Sequence, residues 1–364
     1  MQVRIIGAGP VGSYAGIQLS KEHDVTIYEQ KKSLTIKHSG LFSTNLKNLY
    51  KPPKETILNK IKGAKIISPN GEFIEIGGSK TRALVTDTIL FDKSLINKAK
   101  DKGVTIKTGK KINTVTKKDN RVLIDDDIKA QYLIDASGPN SVVRKSFGLK
   151  QLKTYTGIET IAKYPSYPED SVEIYLGNNI APNFFAWTIP LGDGRAKIGL
   201  ITENNPAEYF KTFLKRLGVN KHEEVSGGII PVDTAKDFIV NNRISLIGDA
   251  AAHTKATTGG GIVTGFESVN LLANELNKEE PDFNNYYNTW KKGVGKELNY
   301  HHRIRKFYNK LSDNDINELV KKAEEFKPII EEHGDMDYPS HFLKPLMKNK
   351  EFLKLGLKHG FKLF

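Results

Sequence analysis

The chain contains no cysteine, and it has only two tryptophans and three methionines among its 364 residues. Without cysteine there can be no disulfide framework, no thiolate metal site and no cysteine nucleophile. We predict no metal site of any kind. Because the fold does not need an oxidising compartment, we expect a cytoplasmic protein.

Acidic residues are also in the minority, since 42 Asp and Glu stand against 55 Lys and Arg and leave a formal charge of +13. This balance suits nucleic acid, an anionic membrane surface or a phosphorylated substrate. Long apolar runs are missing too: the longest charge-free stretch, residues 174–192, carries three Asn, two Pro and two Gly. We therefore expect no transmembrane helix. The first residues enter a Gly-rich turn directly, so we also expect no signal peptide.

The N-terminal residues show a pattern that is typical of nucleotide binding. An apolar strand over residues 2–6 runs into the GxGxxG turn Gly7-Ala8-Gly9-Pro10-Val11-Gly12. Helical spacing follows, and residues 24–29 indicate a second strand that ends on an acid. The three glycines permit, in order, a tight turn, the approach of a pyrophosphate and close packing of helix on strand. Glu29, 22 positions after the first glycine, is placed to accept ribose hydroxyls. The pattern fits NAD and FAD equally.

Two further strands end in small residues, over residues 132–144 and 243–251, and Gly259-Gly260-Gly261 opens a helix soon after. Three such strand ends imply a long ligand that lies across several strand termini. Asp249 suits a ribityl hydroxyl or the pyrophosphate. The amides of the three glycines suit the N1/C2 edge of a flavin, where a helix N-terminus stabilises the reduced anion.

With these motifs the chain resembles the flavoprotein superfamily of hydroxylases and reductases, and within it the geranylgeranyl reductase family. The similarity covers most of residues 1–270 and rests on GAGPVG with Glu29, on ASGPNSVVR and on GDAAAHTKATTGGGI. The family also carries a Tyr-x-Trp-x-Phe-Pro motif. Residues 185–190 match it with Phe in place of Tyr and Ile in place of Phe.

The resemblance implies FAD as the cofactor. Combined with the motifs, it predicts these cofactor-binding residues: Gly7, Gly9, Pro10, Val11, Gly12, Glu29, Gln30, His38, Ser39, Gly40, Ile112, Ala136, Ser137, Gly138, Gly248, Asp249, Gly259, Gly260, Gly261 and Ile262. Three departures from the family stand out. The segment 37–41 lacks the cysteine of many relatives, Thr88 stands where relatives often have Arg, and Ala256 stands where Pro is usual.

Residues 151–240 indicate strands, hairpins and one helix from Pro206 to Leu217, which together predict a second lobe. Phe185 and Trp187 face the same side of a strand. With Pro190 they are the predicted substrate-binding residues, as the wall of an apolar slot; plain core packing is the alternative. We predict an α/β protein with a Rossmann-like FAD-binding domain (1–150 and 241–280), an antiparallel-sheet substrate domain (151–240) and a helical C-terminal region (281–364).

Two basic segments follow. Residues 284–311 interleave aromatic and basic residues, and their helical periodicity favours a packed helix over a nucleic-acid site. Near the C-terminus, two stripes run side by side: Lys350, Lys354, Lys358 and Lys362, and Leu353, Leu357 and Phe361. This segment suits an anionic bilayer and a helix that caps the second lobe equally well. A peripheral position at the inner face of the membrane is therefore one of two alternatives.

The resemblance implies an FAD-dependent reductase that saturates prenyl C=C bonds of a geranylgeranylated membrane-lipid precursor. A quinone side chain is an alternative acceptor, and the donor could be a ferredoxin, a reduced deazaflavin or NAD(P)H. His38 and His253 are the candidate proton donors by motif position. The rival functions are an FAD-dependent monooxygenase or halogenase and a non-catalytic prenyl-lipid carrier. No nucleic-acid partner is expected.

Overall fold

The computed structural model describes residues 1–33, 39–118, 121–165, 168–234 and 236–353. Within these ranges the strands are β1 (Gln2–Ile6), β2 (Asp24–Glu29), β3 (Leu41–Ser43), β4 (Ile57–Ile61), β5 (Gly63–Ile67), β6 (Phe73–Ile76), β7 (Ala83–Thr86), β8 (Thr105–Thr108), β9 (Val115–Lys118), β10 (Arg121–Ile124), β11 (Ile128–Ala130), β12 (Tyr132–Asp135), β13 (Thr154–Lys163), β14 (Ser171–Tyr175), β15 (Phe185–Pro190), β16 (Arg195–Thr202), β17 (Ser226–Pro231), β18 (Ile239–Asn241) and β19 (Ile244–Leu246). The helices are α1 (Pro10–Leu19), α2 (Leu46–Leu49), α3 (Thr88–Asp101), α4 (Val142–Ser146), α5 (Pro206–Arg216), α6 (Ile262–Leu276), α7 (Phe283–Lys292), α8 (Val294–Tyr308), α9 (Asp313–Ala323), α10 (Lys327–His333) and α11 (Ser340–Leu346).

The first sheet has six strands in the order β18-β19-β12-β1-β2-β8. All its pairings are parallel except that of β18 with β19. Its central strands are apolar and buried because helices cover the sheet, as is usual for parallel strands. The carboxyl ends of β1, β2, β12 and β19 therefore meet at one edge. The predicted strand–helix–strand unit over residues 2–29 is confirmed.

The second sheet has seven strands in the order β17-β13-β16-β15-β14-β5-β6. Its pairings are antiparallel except that of β14 with β5. One face is covered by α5, through Phe210, Phe213 and Leu214. The other face packs against a small sheet of order β3-β7-β4. Because both faces are covered, β16 is buried at every position after Arg195.

The predicted fold class is confirmed: a parallel, helix-covered sheet is joined to a mostly antiparallel sheet and a helical C-terminal region. The exact domain boundaries stay a prediction. Strands β5 and β6, over residues 63–76, belong to the second sheet, although the sequence placed them with the FAD-binding domain. Strand β14, the partner of β5, lies about a hundred residues later, and local sequence patterns do not reveal such a long-range pairing.

The C-terminal helices pack on both sheets. Tyr286 and Trp290 of α7 belong to the core of the first sheet, so the packed-helix interpretation of residues 284–311 holds for α7. Helix α9 buries Ile316 and Val320 against β6. None of the described helices is both long and apolar enough to cross a membrane. Of the two predicted terminal stripes, only Lys350 and Leu353 fall within the described residues.

Candidate active site

The GxGxxG turn after β1 requires glycine at two positions. Gly7 has a φ of +98°, and a Cβ there would lie 2.4 Å from the carbonyl oxygen of Ala136. A Cβ at Gly12 would lie 2.0 Å from the carbonyl oxygen of Gly7. The turn is therefore pressed against the residues that follow β12. Pro10 occupies the first helical position, where its missing N–H costs nothing.

Glu29 ends β2 beside this turn and is 7% exposed. Its carboxylate accepts one hydrogen bond from the Ala8 N–H at 2.9 Å and another from the Lys31 N–H at 2.8 Å. The acid is therefore held at the rim of the turn, where the sequence predicts ribose contacts. Its neighbour Gln30 is exposed, and Ile112 is buried after β8.

The end of β12 is built around a buried carboxylate. Asp135 accepts hydrogen bonds from the Ser137 N–H at 2.9 Å and from the hydroxyl of Ser141, and burial raises the pKa of Asp135. Ser137 Oγ is buried without a hydrogen-bond partner in the described structure. A ligand hydroxyl or phosphate oxygen at this strand end would satisfy it.

The third strand end, the turn Gly248–Ala251, packs directly on the first. A Cβ at Gly248, where φ is +59°, would lie 3.2 Å from Val11. Asp249 accepts a hydrogen bond from Thr254 Oγ1 at 2.8 Å, and burial raises its pKa. Arg144 is 1% exposed and its Nε donates to the carbonyl of Ala250 at 2.7 Å. The second and third turns are thereby tied together.

The loop that follows, residues 253–261, is held from behind by helix α8. His301 Nδ1 and Thr257 Oγ1 are 2.5 Å apart, and burial lowers the pKa of His301 to about 3. Arg305 donates to the carbonyls of Ala256 at 2.9 Å and Thr257 at 2.7 Å. Its third hydrogen bond goes to the carbonyl of Asn183 at 2.6 Å, so one side chain joins this loop to the second sheet.

The loop meets the second sheet on the face that carries Trp187. A Cβ at Gly259 would lie 2.9 Å from Ile201 and 3.5 Å from Ile230, and the strand register places both on that face. Trp187 is 7% exposed. Its ring lies over Gly199, where a Cβ would be 2.5 Å from the indole, and its Nε1 donates to Glu159 at 3.1 Å. An apolar face with fixed aromatic rings therefore borders the glycine loop.

A buried lysine sits on the same face. Lys197 is 5% exposed, and its Nζ donates to the carbonyls of Ser39 at 2.7 Å and Thr86 at 3.5 Å. Both partners are backbone carbonyls. Burial lowers the pKa of Lys197, while the more distant Glu159 and Asp87 oppose this shift. The ammonium lies at the Ser39-Gly40 turn, which the sequence predicts to contact the cofactor.

No protein-family model matches the chain. The chain is 26% identical over 351 residues to digeranylgeranylglycerophospholipid reductase 2 of Methanococcoides burtonii, with 87% of this chain and 86% of that protein covered. Its fold is that of a geranylgeranyl bacteriochlorophyll reductase-like protein from Thermoplasma acidophilum, with a TM-score of 0.83, 21% identity and 98% of both chains covered. The halogenase PltM, in complex with phloroglucinol and FAD, aligns with a TM-score of 0.68 and 15% identity over 99% of this chain and 96% of that one.

The predicted resemblance to the geranylgeranyl reductase family is confirmed. The structure brings most of the predicted cofactor residues to one edge of the first sheet, where the turns after β1, β12 and β19 meet. Ser39 and Gly40 lie apart from these turns, at the start of β3. Contact of any of the predicted residues with FAD stays a prediction, as does substrate contact by Phe185, Trp187 and Pro190. His38 lies outside the described residues.

The surroundings of His253 do not support the catalytic role that its motif position suggests. The side chain is fully buried, its ring stacks on Trp290 with centroids 5.0 Å apart, and Phe238 meets it edge-on at 4.8 Å. Burial lowers its pKa to about 3. An imidazole enclosed by aromatic rings is packed as a core side chain, and near neutral pH it lacks the acidic proton of the imidazolium that a general acid would donate.

We therefore expect His253→Phe to retain bound FAD and to keep substrate turnover within about twofold of wild type. The new ring fits the aromatic cluster and removes two ring nitrogens that have no hydrogen-bond partner in the described structure. FAD content and single-turnover kinetics check this. A variant that keeps its FAD and fold but loses turnover would show that His253 takes part in the reaction.

The sequence did not identify several residues that shape the site. Lys197, Arg305 and His301 fall in a strand and a helix whose patterns look structural, and their partners lie far away along the chain. One local signal was present for Lys197: a charged residue stands among the apolar residues of β16. Arg144 belonged to a recognised motif but was assigned no role.

Proposed function

We propose that this chain is an FAD-dependent oxidoreductase that saturates prenyl C=C bonds of a geranylgeranylated membrane-lipid precursor. One observation carries the proposal: three glycine-rich strand ends meet at one sheet edge, and their loop abuts an apolar sheet face at the contact of Gly259 with Ile201 and Ile230. A dinucleotide bound at this edge would therefore lie beside the apolar sheet face. Relatives of similar length named digeranylgeranylglycerophospholipid reductase support the substrate class.

The described residues fit FAD. The turn at Gly7 leaves no room for a side chain, Ser137 Oγ is a buried hydroxyl without a partner in the described structure, and nothing lies within 4 Å of a Cβ at Gly138. Backbone N–H groups at the start of α1 can face a pyrophosphate. Glu29 is held for the ribose. When bound, FAD would supply the two-electron redox chemistry of the reaction.

In this proposal, the chain's own residues orient the substrate, exclude water and donate a proton. Phe185 and Trp187, with ring centroids 6.0 Å apart, form the wall against which an isoprenoid chain would lie. An isolated alkene has no carbonyl to polarise it, so orientation in a water-excluded slot must do much of the work. Lys197 Nζ lies on the same sheet face, and we assign it, in place of His253, as the group that protonates the second alkene carbon, with His38 kept as the other candidate.

The test of this function uses the purified protein loaded with FAD and reduced anaerobically with dithionite. A geranylgeranylated glycerophospholipid should restore the oxidised flavin absorbance, while the fully saturated phytanyl lipid should not. Mass spectrometry should show a gain of two hydrogens per bond reduced. The saturated lipid is the matched control, since it binds without an acceptor bond.

The other functions give different results. Turnover only with oxygen would indicate a monooxygenase or halogenase, which the fold also allows. Lipid binding by a protein that cannot be loaded with FAD would indicate a carrier. Binding at the membrane surface through the C-terminal segment, and the identity of the electron donor, stay proposals that this experiment does not address.

A further inference from the structure

A buried ion pair lies behind the glycine loop. Lys255 Nζ and Asp337 Oδ1 are 2.6 Å apart, and the two side chains are 6% and 0% exposed. Asp337 belongs to the segment between α10 and α11, so a residue near the C-terminus reaches the loop that follows the Gly248–Ala251 turn. Neither residue was among the predicted site residues.

Lys255 is enclosed by the glycine loop itself. Its backbone N–H donates to the carbonyl of Gly260 at 3.0 Å, and the Gly259 N–H donates to the Lys255 carbonyl at 2.8 Å. A Cβ at Gly260 would lie 3.4 Å from Lys255 Nζ. The ammonium is therefore within a few ångströms of the amides that are predicted to face the N1/C2 edge of the flavin.

Asp337 is fixed from several directions. It accepts hydrogen bonds from the Ser43 hydroxyl and from Asn45 Nδ2 at 2.9 Å, and its backbone carbonyl lies 3.2 Å from His301 Nε2. The side chain of Asn45 also donates to Asp335. Lys255 and Asp337 thus form an ion pair whose two side chains are held in place. Because both side chains are buried, water screens their charges little.

A second carboxylate lies close to the pair. Glu267 accepts a hydrogen bond from Tyr338, and burial raises the pKa of Glu267. Farther out, the exposed His341 lies 3.8 Å from Asp335. Among the described residues of this cluster, Lys255 supplies the ammonium, and a group bound in front of the loop would experience its positive charge.

We propose that Lys255 and Asp337 set the reduction potential of the bound flavin with opposite signs. The inference rests on the proposed function, because it requires FAD at the glycine loop. Reduced flavin carries negative charge at the N1 edge, so a nearby ammonium stabilises the reduced form and a carboxylate destabilises it. In the intact pair, the effects of the two charges on the potential largely cancel. Removing either charge leaves the effect of the other uncompensated.

The experiment measures the midpoint potential and the FAD dissociation constant of the full-length protein. Lys255→Met leaves Asp337 uncompensated and should lower the potential, whereas Asp337→Asn leaves Lys255 uncompensated and should raise it. The double variant should return close to the wild-type potential. A tenfold change in the ratio of affinities for reduced and oxidised FAD corresponds to about 30 mV for a two-electron couple. Lys278→Met, beyond the C-terminal end of α6, breaks an ion pair in which Lys278 is half-exposed and Glu275 is buried, and as the matched control it should leave the potential unchanged.

A purely structural role predicts that both single variants bind FAD less tightly and shift the potential in the same direction or not at all, and that result overturns the proposal. If Lys255→Met does not fold, Asp337→Asn and the double variant still decide it, since the potential must rise in one and return in the other. Wild-type protein that cannot bind FAD would remove the proposed function and this inference together. If the wild-type protein reduces the lipid but the variants have unchanged reduction potentials, only this inference is overturned.

Discussion

Arg305→Met is expected to destabilise the protein by about 3–5 kcal/mol, because several buried acceptors lose their donor, and to abolish tight FAD binding. The wild-type guanidinium satisfies the backbone carbonyls of Ala256, Thr257 and Asn183 and lies 3.9 Å from the ring centroid of Phe184. Burial lowers its pKa to about 10, so it remains charged at neutral pH. Methionine keeps much of the apolar stem but leaves three carbonyls without their donor, each costing about 1–3 kcal/mol if it stays buried.

Urea unfolding gives the stability change, and titration with FAD gives the affinity. The control is Lys306→Met, one residue further along the same helix, because that side chain is exposed. It should alter the free energy of unfolding by less than about 0.5 kcal/mol. If Arg305→Met binds FAD as tightly as wild type, the loop does not depend on the helix behind it.

Lys197→Met should lower turnover by about 10² to 10⁴, the usual contribution of a positioned proton donor, while the protein keeps its FAD. The pH profile tests the role more directly. Because burial lowers the pKa of Lys197, the proton-bearing ammonium is lost as pH rises through a value below that of an ordinary lysine. Turnover should therefore fall at alkaline pH. In Lys197→Arg this alkaline decline should disappear, since a guanidinium stays protonated, although the rate remains low.

The control for this prediction is Lys163→Met. Lys163 ends β13 in the same sheet but is exposed, and we expect wild-type turnover. An alkaline decline that is identical in wild type and Lys197→Arg would assign the titration to another group. Loss of FAD together with turnover in Lys197→Met would indicate that the lysine only ties Ser39 to Thr86.

The sequence predicted the features that depend on short segments. The GxGxxG turn, the acid at the end of β2 and the strand ends at residues 135 and 246 follow from local patterns. The backbone explains why, since Gly7 and Gly12 are required by contacts within one βαβ unit and its neighbour. The fold class follows from the same patterns, because alternating strands and helices favour a parallel sheet and successive hairpins favour an antiparallel one.

What the sequence did not predict depends on contacts between distant segments. Asp337 has no motif around it, and its importance comes only from lying 2.6 Å from Lys255. Arg305 falls within a basic, aromatic helix whose pattern cannot show which cation is buried. His253 illustrates the opposite case: it stands in the most specific motif of the chain, and its ring packs in an aromatic cluster.

The ion pair between Lys255 and Asp337 also has a consequence for the order of assembly. The cofactor turn begins at Gly7, and the carboxylate behind the last loop lies 330 positions later. Because synthesis proceeds from the N-terminus and domains fold largely as they emerge, the first turn exists long before its final support. The glycine loop therefore lacks the support of Asp337 until that residue has been synthesised and has packed behind it, and we expect tight cofactor capture only after that step.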